Sequence, residues 1–259
     1  MHEVMKKTAI LCDMDGVIYH GSRVLEGVQK FVQWMIDHDK QFLFVTNSAE
    51  RTPQQLSQKL QGFGLAVDAD HFYTSAMATA EYLSNEKPGC TAYVVGEPAL
   101  VSALGEHGIY INDVDPDYVV LGETPSYCYE KVEKAIHLVN KGAVLIGTNP
   151  DIFGFTERGI MPAAGAMIAP IEMVTGKKAY FVGKPNPLML RNGLRFLGRR
   201  SEEVAFIGDS METDILAGIE SDVDTVLVLS GVTKAEDIDS YPYRPKYVVG
   251  GVGDLIKLE

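Results

Sequence analysis

Acidic residues that could bind a metal ion gather in two short segments of the 259-residue chain. Each segment directly follows a run of apolar residues, and the acids are Asp13 with Asp15 and Asp209 with Asp214. Carboxylates brought close together repel each other unless a cation lies among them. Oxygen ligands with no His or Cys nearby favour a hard ion, Mg²⁺ before Zn²⁺. The acids therefore predict a magnesium site, provided that the fold joins the two segments.

Asp13 and Asp15 can also divide the work of a phosphoryl transfer if the backbone turns sharply between them. One carboxylate can act as the nucleophile and the other as general acid and base. Thr46, Asn47 and Lys184 would supply the hydrogen-bond donors and the positive charge that phosphoryl oxygens need. These residue types together predict chemistry on a phosphate ester.

Each motif taken alone has an ordinary structural explanation. Asp-x-Asp-Gly is a common turn or helix cap, Thr-Asn is often a cap, and acids suit the first turn of a helix. The joint pattern carries the prediction, because every motif ends an apolar run of about strand length. In open α/β sheets, ligands bind at the carboxyl ends of the strands.

Four apolar runs predict the sheet that would position these residues. They are 9–12, 42–45, 204–207 and 226–229. The runs are apolar throughout rather than alternating, as expected for parallel strands buried on both faces. Amphipathic helical patterns separate them; one begins with Thr52-Pro53 as cap and first helical residue. We therefore predict an α/β fold with a doubly wound, Rossmann-like parallel sheet.

A second set of strand-like runs lies in the middle of the chain, at 92–95, 118–121 and 143–146. Polar segments that contain helix breakers flank this set at 86–89 and 175–178. We therefore interpret 86–178 as a smaller α/β domain inserted into a catalytic core, which consists of 1–85 and 179–259. The short run 180–182 belongs to that core in this interpretation and leads to Gly183 and Lys184.

The composition argues against several classes of protein. The chain has 23 Lys and Arg against 35 Asp and Glu, a net charge of −12, which disfavours long nucleic acids and membrane surfaces as partners. No stretch approaches the roughly 18–20 apolar residues of a membrane helix, and the apolar run 8–12 is shorter than the core of a signal peptide. Three scattered cysteines form no CxxC pair. We expect a cytoplasmic protein; the oligomeric state stays open.

Four motifs, in this order, resemble those of the haloacid-dehalogenase-like (HAD) phosphatases. They are DMDGV at 13–17, TNS at 46–48, GKP at 183–185 and GDSMETD at 208–214. The insertion between the second and third motifs is similar to the large α/β cap of subclass IIA. Further stretches, beginning at Phe72, Ala92, Thr148 and Val228, are similar to the NagD ribonucleotide monophosphatases.

The resemblance implies roles for the two acids of the first motif. Asp13 would be the nucleophile that forms an aspartyl-phosphate and would also be a Mg²⁺ ligand. Asp15 would contact the substrate, protonate the leaving alcohol and then activate water, while its backbone carbonyl touches the metal.

The other motifs also receive roles from the resemblance. Thr46 and Asn47 would bind the phosphoryl group, although many relatives carry a second Asn before the Ser of this motif. Lys184 would neutralise the phosphoryl group and hold Asp13. Asp209 would ligate Mg²⁺, Asp214 would orient the ligands without binding the ion, and Ser210 and Thr213 would belong to a loop at the substrate.

The resemblance implies a ribonucleoside 5'-monophosphate such as UMP as substrate, chosen by the inserted cap. The loops 148–151 and 153–155 combine polar and aromatic residues that suit stacking and reading a base, although they would equally form a turn and pack. One alternative keeps the chemistry but acts on phosphoglycolate, a sugar phosphate or 4-nitrophenyl phosphate. Another is a non-catalytic relative that binds a phosphate ligand. A signalling receiver domain is disfavoured, because Lys184 lies a whole domain after Thr46.

Overall fold

A computed structural model describes residues 3–156 and 159–256. Its strands are β1 (Ala9–Cys12), β2 (Tyr19–His20), β3 (Arg23–Val24), β4 (Gln41–Thr46), β5 (Phe72–Thr74), β6 (Thr91–Val95), β7 (Tyr110–Ile111), β8 (Tyr118–Leu121), β9 (Val144–Gly147), β10 (Phe153–Thr156), β11 (Gly159–Pro162), β12 (Tyr180–Phe181), β13 (Val204–Gly208), β14 (Asp224–Val228) and β15 (Tyr247–Val249). Its α-helices are α1 (Val28–Asp37), α2 (Pro53–Gly62), α3 (Ser75–Glu86), α4 (Pro98–Glu106), α5 (Tyr129–Lys141), α6 (Ala164–Thr175), α7 (Leu188–Leu197) and α8 (Leu216–Glu220).

The chain divides into two compact units. The first contains the residues up to Thr46, Pro53–Tyr73 and the residues from Lys184 onward. The second contains Asn47–Thr52 and Thr74–Gly183. No helix within the described ranges is long and apolar enough to cross a membrane.

The first unit is built on a six-stranded sheet with the order β15-β14-β13-β1-β4-β5. Strand β1 pairs in parallel with β13 on one side and β4 on the other. Strands β4 and β5 lie on one side of β1 in the sheet, and β13, β14 and β15 lie on the other side. This reversal of direction places the end of β1 at the switch point of a doubly wound sheet, where ligands bind in such folds.

The predicted strands of this sheet are confirmed. Strands β1 and β13 are buried along their whole length, and β4 is buried from Phe42 onward. Burial on both faces explains why these segments are apolar throughout instead of alternating. Helix α2 begins at Pro53 as expected. Helix α7 ends at Leu197 and is capped by Gly198, whose φ of +63° suits a residue without a Cβ atom.

The second unit has its own parallel sheet, with the order β12-β9-β8-β6-β7. Its core is formed by side chains of β8 and β9 and of helices α5 and α6, among them Val119, Leu145 and Ile168. Strands β10 and β11 form a separate antiparallel pair. The unit is thus an α/β domain of the expected class.

Its bounds differ from the predicted insert 86–178, which lies entirely inside it. Besides Asn47–Thr52, the unit has a main segment that begins at Thr74, since helix α3 packs against α4 of the same unit. It ends at Gly183, since β12 pairs in parallel with β9. The expectation that 180–182 belongs to the catalytic core is therefore wrong: Tyr180 and Phe181 complete the second sheet. That the first unit carries catalysis and the second specificity stays a prediction.

Candidate active site

Asp13 is the first residue after the central strand of the first unit. Its backbone N–H donates to the carbonyl of Ile207 at 2.8 Å, so that the pairing of β1 with β13 continues to this residue. The side chain is buried. The sheet therefore delivers one carboxylate into the switch point, which is the placement that the apolar run before it predicts.

Lys184 places a buried positive charge beside this carboxylate. Its Nζ donates to Asp13 Oδ1 at 2.5 Å and to the carbonyl of Val45 at 3.2 Å, and lies 2.8 Å from Asp214 Oδ1. The lysine side chain is only 3% exposed. Burial alone would lower the pKa of the ammonium, but the carboxylates of Asp13 and Asp214 outweigh this and raise it. Lys184 is therefore charged and bridges two acids.

Asp214 organises the loop after β13 as well as pairing with Lys184. Its Oδ2 accepts from the backbone N–H groups of Asp209 and Ser210, at 3.0 and 3.1 Å. The residue lies in a π-helical turn, Met211–Ile215, which Ser210 caps by accepting from Thr213 N at 3.3 Å. The buried carboxylate of Asp214 thus fixes the backbone at Asp209.

Asp209 is enclosed by backbone that only glycine permits. Its Oδ2 accepts from Val232 N at 2.7 Å. A Cβ atom on Gly231 would lie 1.9 Å from this oxygen, and one on Gly16 would lie 2.2 Å from it. Gly16 also has a φ of +79°, in the left-handed region that favours glycine. These two glycines therefore let two loops close around one carboxylate.

The residues brought together fit a divalent cation. Within the described ranges, ligand oxygens of Asp13, Asp209 and Asp214 all lie within 4.8 Å of one another, and all three side chains are buried. Burial and the negative charge of Asp214 together raise the pKa of Asp13 to about 7 against the attraction of Lys184. Burial and the negative charge of Asp214 likewise raise the pKa of Asp209. One ammonium does not balance three carboxylates, and an all-oxygen set suits a hard ion.

The carboxylate of Asp15 does not join this cluster. Its side chain is 65% exposed, and its Oδ1 lies 4.0 Å from Nδ1 of His20. The other ring nitrogen of His20 lies 2.8 Å from the carbonyl oxygen of Ser230 and must carry a hydrogen there, because a carbonyl only accepts. An exposed position suits a group that exchanges protons with a substrate. The contact of its backbone carbonyl with a metal stays a prediction.

Thr46 and Asn47 fall in different units although they are neighbours in the chain. Thr46 ends β4 in the first unit and is buried. Asn47 belongs to the second unit, where its Nδ2 donates to Asp151 Oδ2 at 2.8 Å and its backbone carbonyl accepts from Ser75 Oγ at 2.5 Å. The motif that singled out Asn47 in the sequence did not predict its contacts with Asp151 and Ser75.

The loops proposed to read a base have mixed surroundings. Thr148 and Asn149 are buried, and the Thr148 hydroxyl donates to Asn149 Oδ1 at 2.9 Å. Phe153 is 42% exposed, and the side chain of Phe155 lies outside the described residues. Contact with a base therefore stays a prediction.

Glu123 was not recognised from the sequence. It follows β8, its Oε1 accepts from Ala164 N at 3.4 Å, and its Oε2 is buried without a hydrogen-bond partner among the described residues. Burial raises its pKa against the lowering by hydrogen bonds from its own backbone and from Asn149. The search for polar residues after the carboxyl ends of parallel strands would also have found Glu123 after the run 118–121 of the second sheet.

Comparison with known proteins places the chain in a family. Residues 10–110 match the model of haloacid dehalogenase-like hydrolases, and residues 181–255 match a second HAD-hydrolase-like model. Ribonucleotide monophosphatase NagD of Escherichia coli K12 is 42% identical over 246 residues, which cover 95% of this chain and 97% of that protein. The chain belongs to the HAD-like hydrolases.

Other relatives show that it is a phosphatase. Dihydroxyacetone phosphatase of Corynebacterium glutamicum is 42% identical over 95% of this chain and 89% of that protein. The structure of Escherichia coli NagD superposes with a TM-score of 0.91 over 96% of this chain and 98% of its own. A 4-nitrophenylphosphatase from Thermotoga maritima, 33% identical, gives a TM-score of 0.92 over 98% of both chains. The names of these relatives all describe phosphatases, but each gives a different substrate.

Replacing Lys184 by Met should destabilise the fold, because it removes the ammonium that lies among three buried carboxylates. Leaving a buried charge without its partner costs about 3–5 kcal/mol of the free energy of unfolding. Lys246→Met is the matched control, since Lys246 is half exposed and pairs with Asp224 at 2.8 Å. An exposed pair contributes roughly 0–1 kcal/mol. Urea unfolding of both variants in metal-free buffer measures the difference; equal losses would contradict the central role of Lys184.

Proposed function

We propose that the protein is a Mg²⁺-dependent phosphomonoesterase that hydrolyses ribonucleoside 5'-monophosphates through an aspartyl-phosphate on Asp13. The observation that carries the chemistry is the buried bridge of Lys184 between Asp13 and Asp214, next to Asp209. NagD, the relative named for ribonucleotides, supports this substrate class. Dihydroxyacetone phosphatase has the same sequence identity to this chain, 42%. Small phosphate esters with other leaving groups are therefore the second candidate substrate class.

In the first step, Asp13 attacks phosphorus while the bond from phosphorus to the leaving oxygen breaks. Asp15 lies two residues after Asp13 and has an exposed side chain. It gives its proton to that oxygen. Lys184, held 2.5 Å from Asp13 Oδ1, aims the nucleophile and offsets the charge that the phosphoryl group adds. Thr46 and Asn47 donate hydrogen bonds to the phosphoryl oxygens, with Ser210 and Thr213 near the substrate.

In the second step, water attacks the phosphorus of the aspartyl-phosphate. Asp15 now takes a proton from this water, and the bond between phosphorus and the Asp13 oxygen breaks. Inorganic phosphate leaves, and Asp13 regains its carboxylate. Both acids end the cycle in their starting states, so atoms and protons balance.

Asp13, Asp209 and the backbone carbonyl of Asp15 would hold Mg²⁺, with Asp214 fixing the loop of Asp209 through two backbone hydrogen bonds. When bound, the ion supplies positive charge that stabilises the phosphoryl oxygens and offsets the acidic cluster. Such an ion, together with Lys184, would let an acidic protein with a net charge of −12 bind an anionic substrate.

Gly231→Ala should weaken Mg²⁺ binding, because the new Cβ atom would collide with Asp209 Oδ2 and displace this ligand. We expect the dissociation constant for Mg²⁺ to rise by about tenfold or more, as when partners of metal ligands are lost. Gly251→Ala is the matched control, since a Cβ atom there meets nothing within 4 Å. Isothermal titration with Mg²⁺ gives both constants, and circular dichroism verifies folding. An unchanged constant in a folded Gly231→Ala protein would contradict the assignment of Asp209.

Asp13→Asn should abolish turnover, because an amide oxygen is a poor nucleophile, while the protein still folds. With 4-nitrophenyl phosphate, whose leaving group departs without a general acid, Asp15→Asn should still form the aspartyl-phosphate but slow the attack of water, so that phosphorylated enzyme accumulates. Acid quenching followed by intact-protein mass spectrometry detects this species. Substantial activity of Asp13→Asn would rule out the covalent scheme.

A panel of phosphate monoesters tests the substrate class. We expect the highest kcat/KM for ribonucleoside 5'-monophosphates, above dihydroxyacetone phosphate, sugar phosphates, phosphoglycolate and 4-nitrophenyl phosphate, since kcat/KM ratios report contacts to the leaving group. Higher values for sugar phosphates or dihydroxyacetone phosphate would establish the second candidate. Absence of phosphate release from every ester in the presence of Mg²⁺ would favour a non-catalytic, ligand-binding protein.

A further inference from the structure

Within the second unit, the side chain of Asn47 is held from two sides. Its Nδ2 donates to Asp151 Oδ2 at 2.8 Å. On the other side, its Oδ1 lies so close to Gly183 that a Cβ atom there would be 2.8 Å away. Its backbone carbonyl accepts from the hydroxyl of Ser75 at 2.5 Å. Side chain and backbone of this residue are therefore both fixed by neighbours.

The partner on the amide side decides which way the amide faces. A carboxylate only accepts hydrogen bonds, whereas the two ends of an Asn amide differ: nitrogen donates and oxygen accepts. If the amide of Asn47 turned over, its Oδ1 would face the Asp151 carboxylate, and two acceptors would repel each other. Asp151 therefore keeps the donor end of Asn47 on one side and its acceptor end on the other.

Asp151 is itself oriented by a chain of hydrogen bonds. The hydroxyl of Thr148 donates to Asn149 Oδ1 at 2.9 Å, which leaves the Asn149 nitrogen to donate to Asp151 Oδ2 at 2.7 Å. The backbone carbonyl of Asp151 accepts from Gly165 N at 2.9 Å. Thr148 and Asn149 are buried, which shields the bond between them from water, and Asp151 is partly buried. The direction of each donor in this network fixes the next.

We propose that Asp151 is a positioning residue for Asn47, which it holds so that the N–H groups of Asn47 meet the phosphoryl group of the substrate. The inference rests on the proposed function and deepens it, since it concerns the phosphate contacts of the same reaction. It differs from the interpretation of 148–151 as a loop that reads a base. Every substrate carries the same phosphoryl group, so a residue acting through Asn47 affects all substrates by the same factor.

A double-mutant cycle with full-length protein tests this inference. Asp151→Ala should lower kcat/KM by about tenfold to a hundredfold, the size of effect that a small misplacement of a binding group produces. In the background of Asn47→Ala, adding Asp151→Ala should change kcat/KM by less than about twofold, because residues that act as one unit are not additive. The inhibition constant of inorganic phosphate should rise in parallel with the loss of kcat/KM.

Three substrates with different leaving groups distinguish the possible outcomes: UMP, dihydroxyacetone phosphate and 4-nitrophenyl phosphate. Equal losses for all three support positioning, whereas a loss confined to UMP would overturn it in favour of base recognition. Tighter inhibition by phosphate in Asp151→Ala would also overturn it, since this shows that the carboxylate acts only as a repelling charge.

Controls separate this inference from the proposed function and from misfolding. Asp115→Asn removes an exposed carboxylate of the same unit and should leave kcat/KM unchanged. Asp151→Asn keeps an oxygen that can accept from Asn47 and should recover part of the activity lost in Asp151→Ala. If the unaltered protein releases no phosphate from any ester, the proposed function fails; if it is active but the two substitutions are additive, only the positioning by Asp151 fails.

Discussion

The ion pair of Lys184 with Asp13 and Asp214 is the interaction on which the rest of the first unit depends. Three buried carboxylates are tolerated only if positive charge lies among them, and the side chain of Lys184 is 3% exposed. Its ammonium reaches all its partners because three segments end at the same place: β1 delivers Asp13, β4 delivers the carbonyl of Val45, and the turn after β13 delivers Asp214. The pairing of the parallel strands thus brings Lys184 and the two carboxylates together.

The same arrangement explains why glycine stands at two points of the site. A carboxylate that is to bind a metal must be held without covering its oxygens by bulky side chains. Backbone N–H groups do this at Asp209, where Val232 donates to the carboxylate and Gly16 and Gly231 let the loops approach. Backbone donors carry no net charge and leave positive charge to Lys184 and, in the proposed function, to Mg²⁺. Position and charge are therefore controlled by different groups.

Much of this was predictable from local sequence. Apolar runs identified the core strands, since buried parallel strands lack the alternation of half-exposed ones. The polar residues after the runs 9–12, 42–45 and 204–207 indicated the candidate site. The strand Tyr180–Phe181 was assigned to the wrong sheet, because a run of two or three apolar residues carries no information about its partner. Glu123 and the hydrogen bond from Asn47 to Asp151 were missed for a related reason: their partners lie far away in the sequence.

The sequence by itself determined the residue types of the site, the order of the motifs and the α/β class, because these follow from local composition and spacing. Only the tertiary structure decided which carboxylates meet. It brought Asp214 into the cluster with Asp13 and Asp209, left the carboxylate of Asp15 exposed, and placed Asn47 among the residues of the second unit. The physical reason is that burial, and with it the strength of every charge interaction, depends on which strands pair. That pairing is a property of the whole chain rather than of any motif.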